Sequence, residues 1–338
     1  MLKILLDTLG MDRGYKEVVK AGVNSVNNDA EIQVTFLGKK ENIEKELLNY
    51  NFDKKRIFVI NAPEEINCND IPSKAIKEKT ESSLVVGLNE LKNGYDALIS
   101  GGSTGAVLMG GFLKIGRIKG VSRPALCPIL PTINDRKVML IDCGANVDPK
   151  PVNLCHFALM GSIYMSKILG INNPKVSLLN IGEEENKGSE LCKETYSLLK
   201  DMPLNFVGNI EARDFLSGKT DIVISDAFSG NILLKGTEGA VMMVLSKLKQ
   251  EIKSSFLAKI GYLFMKKSFK KLKSALNING QGGSLFLGLK KTLIKVHGSG
   301  TSEAIENAIL QAKEIKDKKI IEIFEEEFSR VQIEGKNE

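Results

Sequence analysis

Histidine and cysteine are too sparse in this chain to suggest a metal centre. The two histidines, His156 and His297, stand far apart, each without a ligand-spaced partner, so no metal is expected. The five cysteines, Cys68, Cys127, Cys143, Cys155 and Cys192, include no Cys-x-x-Cys pair. An odd number of scattered thiols fits free cysteines in a reducing cytoplasm. No apolar run reaches the roughly 18–20 residues that span a bilayer. The opening segment Met1–Asp7 is too short for a signal peptide and turns acidic too early. It reads as a first β-strand.

Nucleotide motifs are missing as well. No Walker A sequence occurs, and the first strand is not followed by Gly-x-Gly-x-x-Gly; Gly298-Ser299-Gly300 lies far too late for that role. No nucleotide or nicotinamide cofactor is therefore expected. The net charge of +6 is mild and lacks the aromatic-lined basic patch of a nucleic-acid binder. Its excess gathers at 253–273, which suits an acidic protein partner or an anionic membrane surface.

What is present is ample apolar material, 43% of 338 residues, arranged as short runs. Leu2–Leu6, Val34–Leu37, Ile57–Ile60, Ala97–Ser100, Val138–Ile141, Val176–Asn180, Asn205–Val207 and Asp221–Ser225 each precede a turn and a helical pattern. This alternation predicts a mainly parallel sheet covered on both faces. Ligands collect at the carboxyl ends of such strands. Five polar loops follow them: Asp7–Asp12, Gly101–Gly105, Asp142–Asp148, Ile181–Gly188 and Asp226–Asn231.

Gly101-Gly102-Ser103-Thr104-Gly105 has three readings. It can hold phosphate on backbone N–H groups and two hydroxyls. It matches Gly-x-Ser-x-Gly, and the order Ser103, Asp226, His297 suits a serine hydrolase. It can also be a tight turn with a capping hydroxyl. Lys187 follows three glutamates and is either their counter-charge or a point charge for phosphate. Asn231 is either a helix N-cap or an oxyanion donor. Asp7, Asp142 and Asp226 end strands, where each can cap a loop or orient a neighbour. His297 opens a second glycine turn, and His156 lies in an apolar helical context. In 251–276, Ile252, Phe256, Leu257, Ile260, Leu263 and Phe264 share one helical face; Met265, Phe269, Leu272 and Leu276 share another. The shift predicts two amphipathic helices or a kinked one. Their lysines suit a membrane interface, a dimer contact or a solvated face.

Together these segments resemble the PlsX family, the fatty acyl-acyl carrier protein:phosphate acyltransferases of bacterial phospholipid synthesis. The resemblance covers nearly the whole chain. It is carried by Asp7–Asp12, Ser100–Ala106, Gly116–Gly120, Arg123–Leu126, Asp142–Asn146, Met160–Ser162, Leu178–Gly182, Gly208–Glu211, Gly230-Asn231 and His297–Ser299. Departures are Met11, Gly14-Tyr15, and Ser103 where the family usually has asparagine. The last weakens the serine hydrolase reading. The resemblance implies a single domain over 1–338 with an isocitrate/isopropylmalate dehydrogenase-like three-layer α/β/α fold. A helical hairpin at about 245–278 would protrude, and a polar tail would follow about residue 328. It implies acyl-phosphate formation from acyl-acyl carrier protein and inorganic phosphate, no cofactor, and a homodimer. The protein would be cytoplasmic and peripheral to the membrane, beside the next acyltransferase. On that basis Lys187, Asn231 and His297 are the catalytic candidates. Asp7, Gly102, Ser103, Thr104, Gly105, Asp142, Asn146 and Asp226 are expected at phosphate or substrate. Phe256, Leu263, Phe264, Lys266 and Lys267 are expected at the membrane or a partner.

Overall fold

The structure is a computed structural model that describes residues 1–275 and 282–330. The first half alternates β1 (Leu2–Asp7), α1 (Tyr15–Asn28), β2 (Ile32–Gly38), α2 (Lys40–Leu47) and β3 (Ile57–Asn61). It continues through α3 (Pro72–Glu78), α4 (Ser83–Lys92), β4 (Ala97–Ser100) and α5 (Thr104–Gly110), which a π-helical turn extends to Ile115. Two short strands, β5 (Ala125–Cys127) and β6 (Ile129–Pro131), precede β7 (Lys137–Ile141). Then come α6 (Pro151–Lys167), β8 (Lys175–Asn180), α7 (Glu190–Asp201), β9 (Asn205–Glu211) and β10 (Ile222–Ile224). The chain ends with α8 (Ala227–Ser254), α9 (Phe256–Ala275), β11 (Ser284–Leu287), β12 (Thr292–Lys295), α10 (Ser302–Asp317) and α11 (Ile320–Arg330).

The strands form two sheets rather than one. The larger runs β3-β2-β1-β4-β12-β11-β5 and the smaller β6-β7-β10-β8-β9. Pairing is parallel except where β11 meets β12 and β5, and where β6 meets β7. The chain crosses between sheets at Pro128, a residue with no N–H to satisfy; its carbonyl accepts from Leu140 N at 3.1 Å.

Side chains alternate across each strand, and both faces are buried. Ile4 and Leu6 join one apolar cluster with α1, α6 and α10, while Leu5 joins the other with α4 and α5. Each cluster continues into the second sheet, through Ile141 and Ile224 on one face and Leu140 and Val223 on the other. That is the three-layer α/β/α arrangement, and it explains the continuous apolar strands.

Four strands escaped the sequence reading: β5, β6, β11 and β12. The helix break also falls elsewhere, at extended Ser255 rather than Met265, and α9 runs unbroken through Met265. Leu276 and the 276–278 end of the expected hairpin lie outside the described residues. At the C-terminus α11 continues past Phe328 to Arg330; the rest of the expected tail also lies outside them. Of α8, only Ala227, Gly230 and Leu234 are buried. In α9, Phe256, Leu263 and Phe264 are 76%, 68% and 86% exposed. Among the described residues no helix is long and apolar enough to cross a membrane.

Candidate functional site

Parallel register places the carboxyl ends of β1, β4 and β12 side by side, with Leu6 opposite Ile99 and Ser100 opposite Lys295. Buried Asp7 organises the first two loops. Its carboxylate accepts from Ser100 Oγ at 2.6 Å and Leu9 N at 3.0 Å, and Ser100 Oγ accepts from Gly102 N at 3.1 Å. Burial raises the Asp7 pKa while the Ser100 bond opposes the rise. Gly10, at φ +75°, lets the loops touch backbone to backbone: a Cβ there would lie 2.6 Å from Gly102 Cα. Met11, the family departure, packs its sulfur against Gly101, where a Cβ would meet Sδ at 2.0 Å. Asp12 N donates to Gly298 O at 2.9 Å, joining the loop after β12. A small cleft opens between Asp7, Gly10, Glu65, Ser83, Gly102 and Ser103.

The second sheet contributes the loop after β7. Asp142, fully buried, accepts from the N–H groups of Leu126, Gly144 and Ala145 on Oδ1, and from Asn146 N and Nδ2 on Oδ2. Burial raises its pKa against the pull of these donors. Asn146 also donates to Pro124 O at 2.8 Å. Asp142 and Asn146, expected at the substrate, are thus directed into their own loop. Asp226 similarly caps α8, accepting from Ser229 N at 2.8 Å.

The helix therefore starts at Ala227, and Asn231 is not its N-cap. Asn231 sits in the second turn and donates to Cys143 O at 2.9 Å. Gly230 permits this approach, since a Cβ there would lie 2.1 Å from Asp142 O. The two sheets meet at Gly144: a Cβ on it would be 3.8 Å from Asn231 Nδ2 and 4.0 Å from Thr104 Cγ2. Gly102, Ser103, Thr104 and Gly105 are half-buried along this junction. Ser103 precedes α5 without a side-chain capping bond.

His297 Nδ1 accepts from Ser299 N at 3.2 Å, so the ring's neutral form carries its proton on Nε2. Burial, then Lys235, lowers its pKa. A hydrolase triad needs Nδ1–H donated to Asp226; here Nδ1 is an acceptor and Asp226 is a helix cap. Ser103, Asp226 and His297 are therefore not assembled as a triad.

Lys187 is not the counter-charge of its glutamates. Glu185 pairs with Lys200 at 3.4 Å and Glu183 approaches Lys219 at 4.0 Å. Lys187 is exposed; its carbonyl accepts from Asn180 Nδ2 at 3.0 Å, while its ammonium has no ion pair among the described residues. Among the described residues no hydrogen bond links that ammonium to the Gly102–Gly105 loop. His156 is buried in α6 as expected, its Nδ1 held by Ser122.

The sequence reading missed Lys295, at the end of β12. Its ammonium donates to Gly101 O at 3.1 Å and to Val296 O. Burial pulls its pKa down to about 8. The available signal was a lysine ending an apolar run two residues before His297. Among the described residues no group of three or more His, Cys, Asp or Glu side chains is disposed to hold a metal ion.

This constellation of glycine loops has known relatives. The sequence profile of a family described as fatty acid synthesis protein matches residues 2–323. The phosphate acyltransferase of Clostridioides difficile (strain 630) is 43% identical over 337 residues, covering 99% of both chains. That of Clostridium tetani (strain Massachusetts / E88) is 45% identical, covering 98% of this chain and 99% of its own. A phosphotransacetylase structure from Streptococcus pyogenes shares the fold at TM-score 0.61 and 16% identity, covering 93% of this chain and 94% of its own. A 4-hydroxythreonine-4-phosphate dehydrogenase from Salmonella typhimurium, described as putative in its title, does so at 0.53 and 12%, covering 93% and 99%. The chain belongs to the fatty acid synthesis protein family and, within it, to the phosphate acyltransferases.

Proposed function

We propose that this protein transfers a fatty acyl group from acyl carrier protein to inorganic phosphate. The observation that carries the reading is the convergence of the Gly102–Gly105, Gly144 and Asn231 segments at one junction, in a chain 43% identical to a phosphate acyltransferase. Hydrogenphosphate binds over the loop amides, with Ser103, Thr104 and Lys187 as further donors. One phosphate oxygen attacks the thioester carbonyl carbon, and the C–S bond breaks. The products are acyl phosphate and the carrier thiol, the phosphate proton passing to sulfur. A thiol with a pKa of about 8.5 leaves readily, so no serine nucleophile is needed. Positioning both reactants supplies much of the rate. Asn231 and nearby N–H groups stabilise the developing oxyanion. His297, as Nε2–H donor, orients phosphate or supports the leaving sulfur.

The finer reading adds a cytoplasmic homodimer held at an anionic membrane surface beside the next acyltransferase, which consumes the acyl phosphate. Its support is the exposed apolar face of α9 with Lys266 and Lys267 on the same helix. The test of the chemistry is to mix the protein with palmitoyl-carrier protein and labelled phosphate. Labelled acyl phosphate is the expected product. Release of free fatty acid without it would overturn the reading.

A further inference from the structure

Lys295 carries an uncompensated charge beneath the Gly101 loop. Its strand end is fixed by parallel pairing with Ser100. An ammonium has three N–H groups and no acceptor. Two of them go to the carbonyls of Gly101 and Val296. The third has no acceptor, and no carboxylate pairs with the ammonium, among the described residues. A half-buried cation held only by carbonyl dipoles is partly desolvated, and an anion completing the site would offset that cost.

The groups around it do not do so. Asp7 at the end of β1 is committed to Ser100 and Leu9 and reaches Lys295 only through space, and Lys235 on α8 pairs with Glu238 at 2.8 Å. Asp12, after β1, and Cys68, after β3, act on Lys295 only through space. Asp12 and Lys235 also act on His297, which ties Lys295 and His297 to one field.

We propose that Lys295 is a phosphate-binding residue, its third N–H and its charge holding the anion over Gly101–Thr104. This rests on the acyltransferase reading above. It adds a half-buried cation to a site otherwise built from amides, hydroxyls and exposed Lys187. Lys295 simultaneously holds the Gly101 carbonyl, so the same side chain shapes the loop and charges it. With a pKa of about 8 the ammonium is mostly charged at neutral pH and is lost on moderate alkalinisation.

The test uses the full chain with Lys295→Met and Lys295→Gln. The expected result is a phosphate KM raised at least ~10-fold with the palmitoyl-carrier KM unchanged. An unchanged phosphate KM would overturn the proposal. A clamp that only shaped the loop would raise it too, but its two carbonyl bonds survive deprotonation, so wild-type phosphate affinity would then stay constant as the lysine titrates. Calorimetric titration of inorganic phosphate into wild type, with no acyl substrate, separates the two readings. If phosphate binds in a Lys295-dependent way but no acyl phosphate forms, the reaction is wrong and the site stands. If neither variant folds, wild-type phosphate affinity decides. It should fall between pH about 8 and about 10, where phosphate stays a dianion; constant affinity there overturns the assignment.

Discussion

Ser100 donates its hydroxyl to Asp7 across 2.6 Å and accepts from Gly102 N through the same oxygen. One buried hydroxyl thus ties the loop after β1 to the loop after β4. Ser100→Ala leaves the Asp7 carboxylate with one fewer donor and Gly102 N–H with no side-chain acceptor. The expected cost is about 2 kcal/mol of stability, because a buried acceptor loses its partner. A phosphate KM that rises in the same variant would follow from a loosened Gly102. Urea unfolding and steady-state kinetics measure both, and an unchanged midpoint and KM would contradict this account.

Gly230 sets the angle at which α8 enters. A methyl there would lie 2.1 Å from the Asp142 carbonyl oxygen and 2.5 Å from Ser225 Oγ. The first is backbone and cannot swing aside. Gly230→Ala should cost about 3 kcal/mol, as overpacking does in a tight core. It should also displace Asn231 from Cys143. Thermal unfolding read alongside activity checks this: both should fall together, whereas Gly239→Ala on the same helix meets nothing within 4 Å.

The exposed side of α9 gives a prediction independent of chemistry. Changing Phe256, Leu263 and Phe264 to serine removes apolar area that is already in solvent, so the fold should survive. Flotation on anionic liposomes should drop, while acyl-phosphate formation with soluble carrier substrate stays near wild type. Unchanged flotation would assign the face to a partner protein, and sedimentation would then test for a second copy.

Strands were legible where an apolar run led into a turn and a helical pattern, as in β1, β2 and β8, and even in short β4 and β10. The four missed strands have only three or four residues each. Pro124 and Pro128 bracket β5, and Gly282-Gly283 precedes β11, so local signals read as turn. Because β12 was not seen, Lys295 had no strand end to mark it as a site residue. The polar loops were legible as a group, since carboxyl ends of parallel strands converge. Which way each side chain faces was not. Asp142 and Asn146 look like substrate ligands in sequence; only the register of five N–H groups around one carboxylate reveals a loop scaffold.

Lys187 and Ser103 separate direct transfer from a serine mechanism. Lys187 makes no ion pair among the described residues, so Lys187→Ala should change stability by no more than about 0.5 kcal/mol. Acyl-phosphate formation should nevertheless collapse. Ser103→Asn should keep activity, and a serine-directed fluorophosphonate should leave Ser103 unlabelled in wild type. Labelling of Ser103, with loss of activity in the asparagine variant, would restore the hydrolase.

His156 makes acid sensitivity traceable to one residue. Its Nδ1 accepts from Ser122 N at 3.2 Å and bonds Ser122 Oγ at 2.8 Å, and its ring meets Phe328 edge-on at 5.4 Å. Burial lowers its pKa from 6.5 to about 4. Between those values the unfolded chain binds a proton that the folded chain refuses. Stability therefore falls as pH drops through that window, by about 3 kcal/mol for this group. It is unaffected by this group above pH 6.5. His156→Gln has no proton to gain. Its unfolding free energy should fall less steeply with acid than wild type, so the two curves converge toward the low end of the window. Parallel curves from urea titrations across the window would show that His156 titrates normally and is not buried as the structure has it.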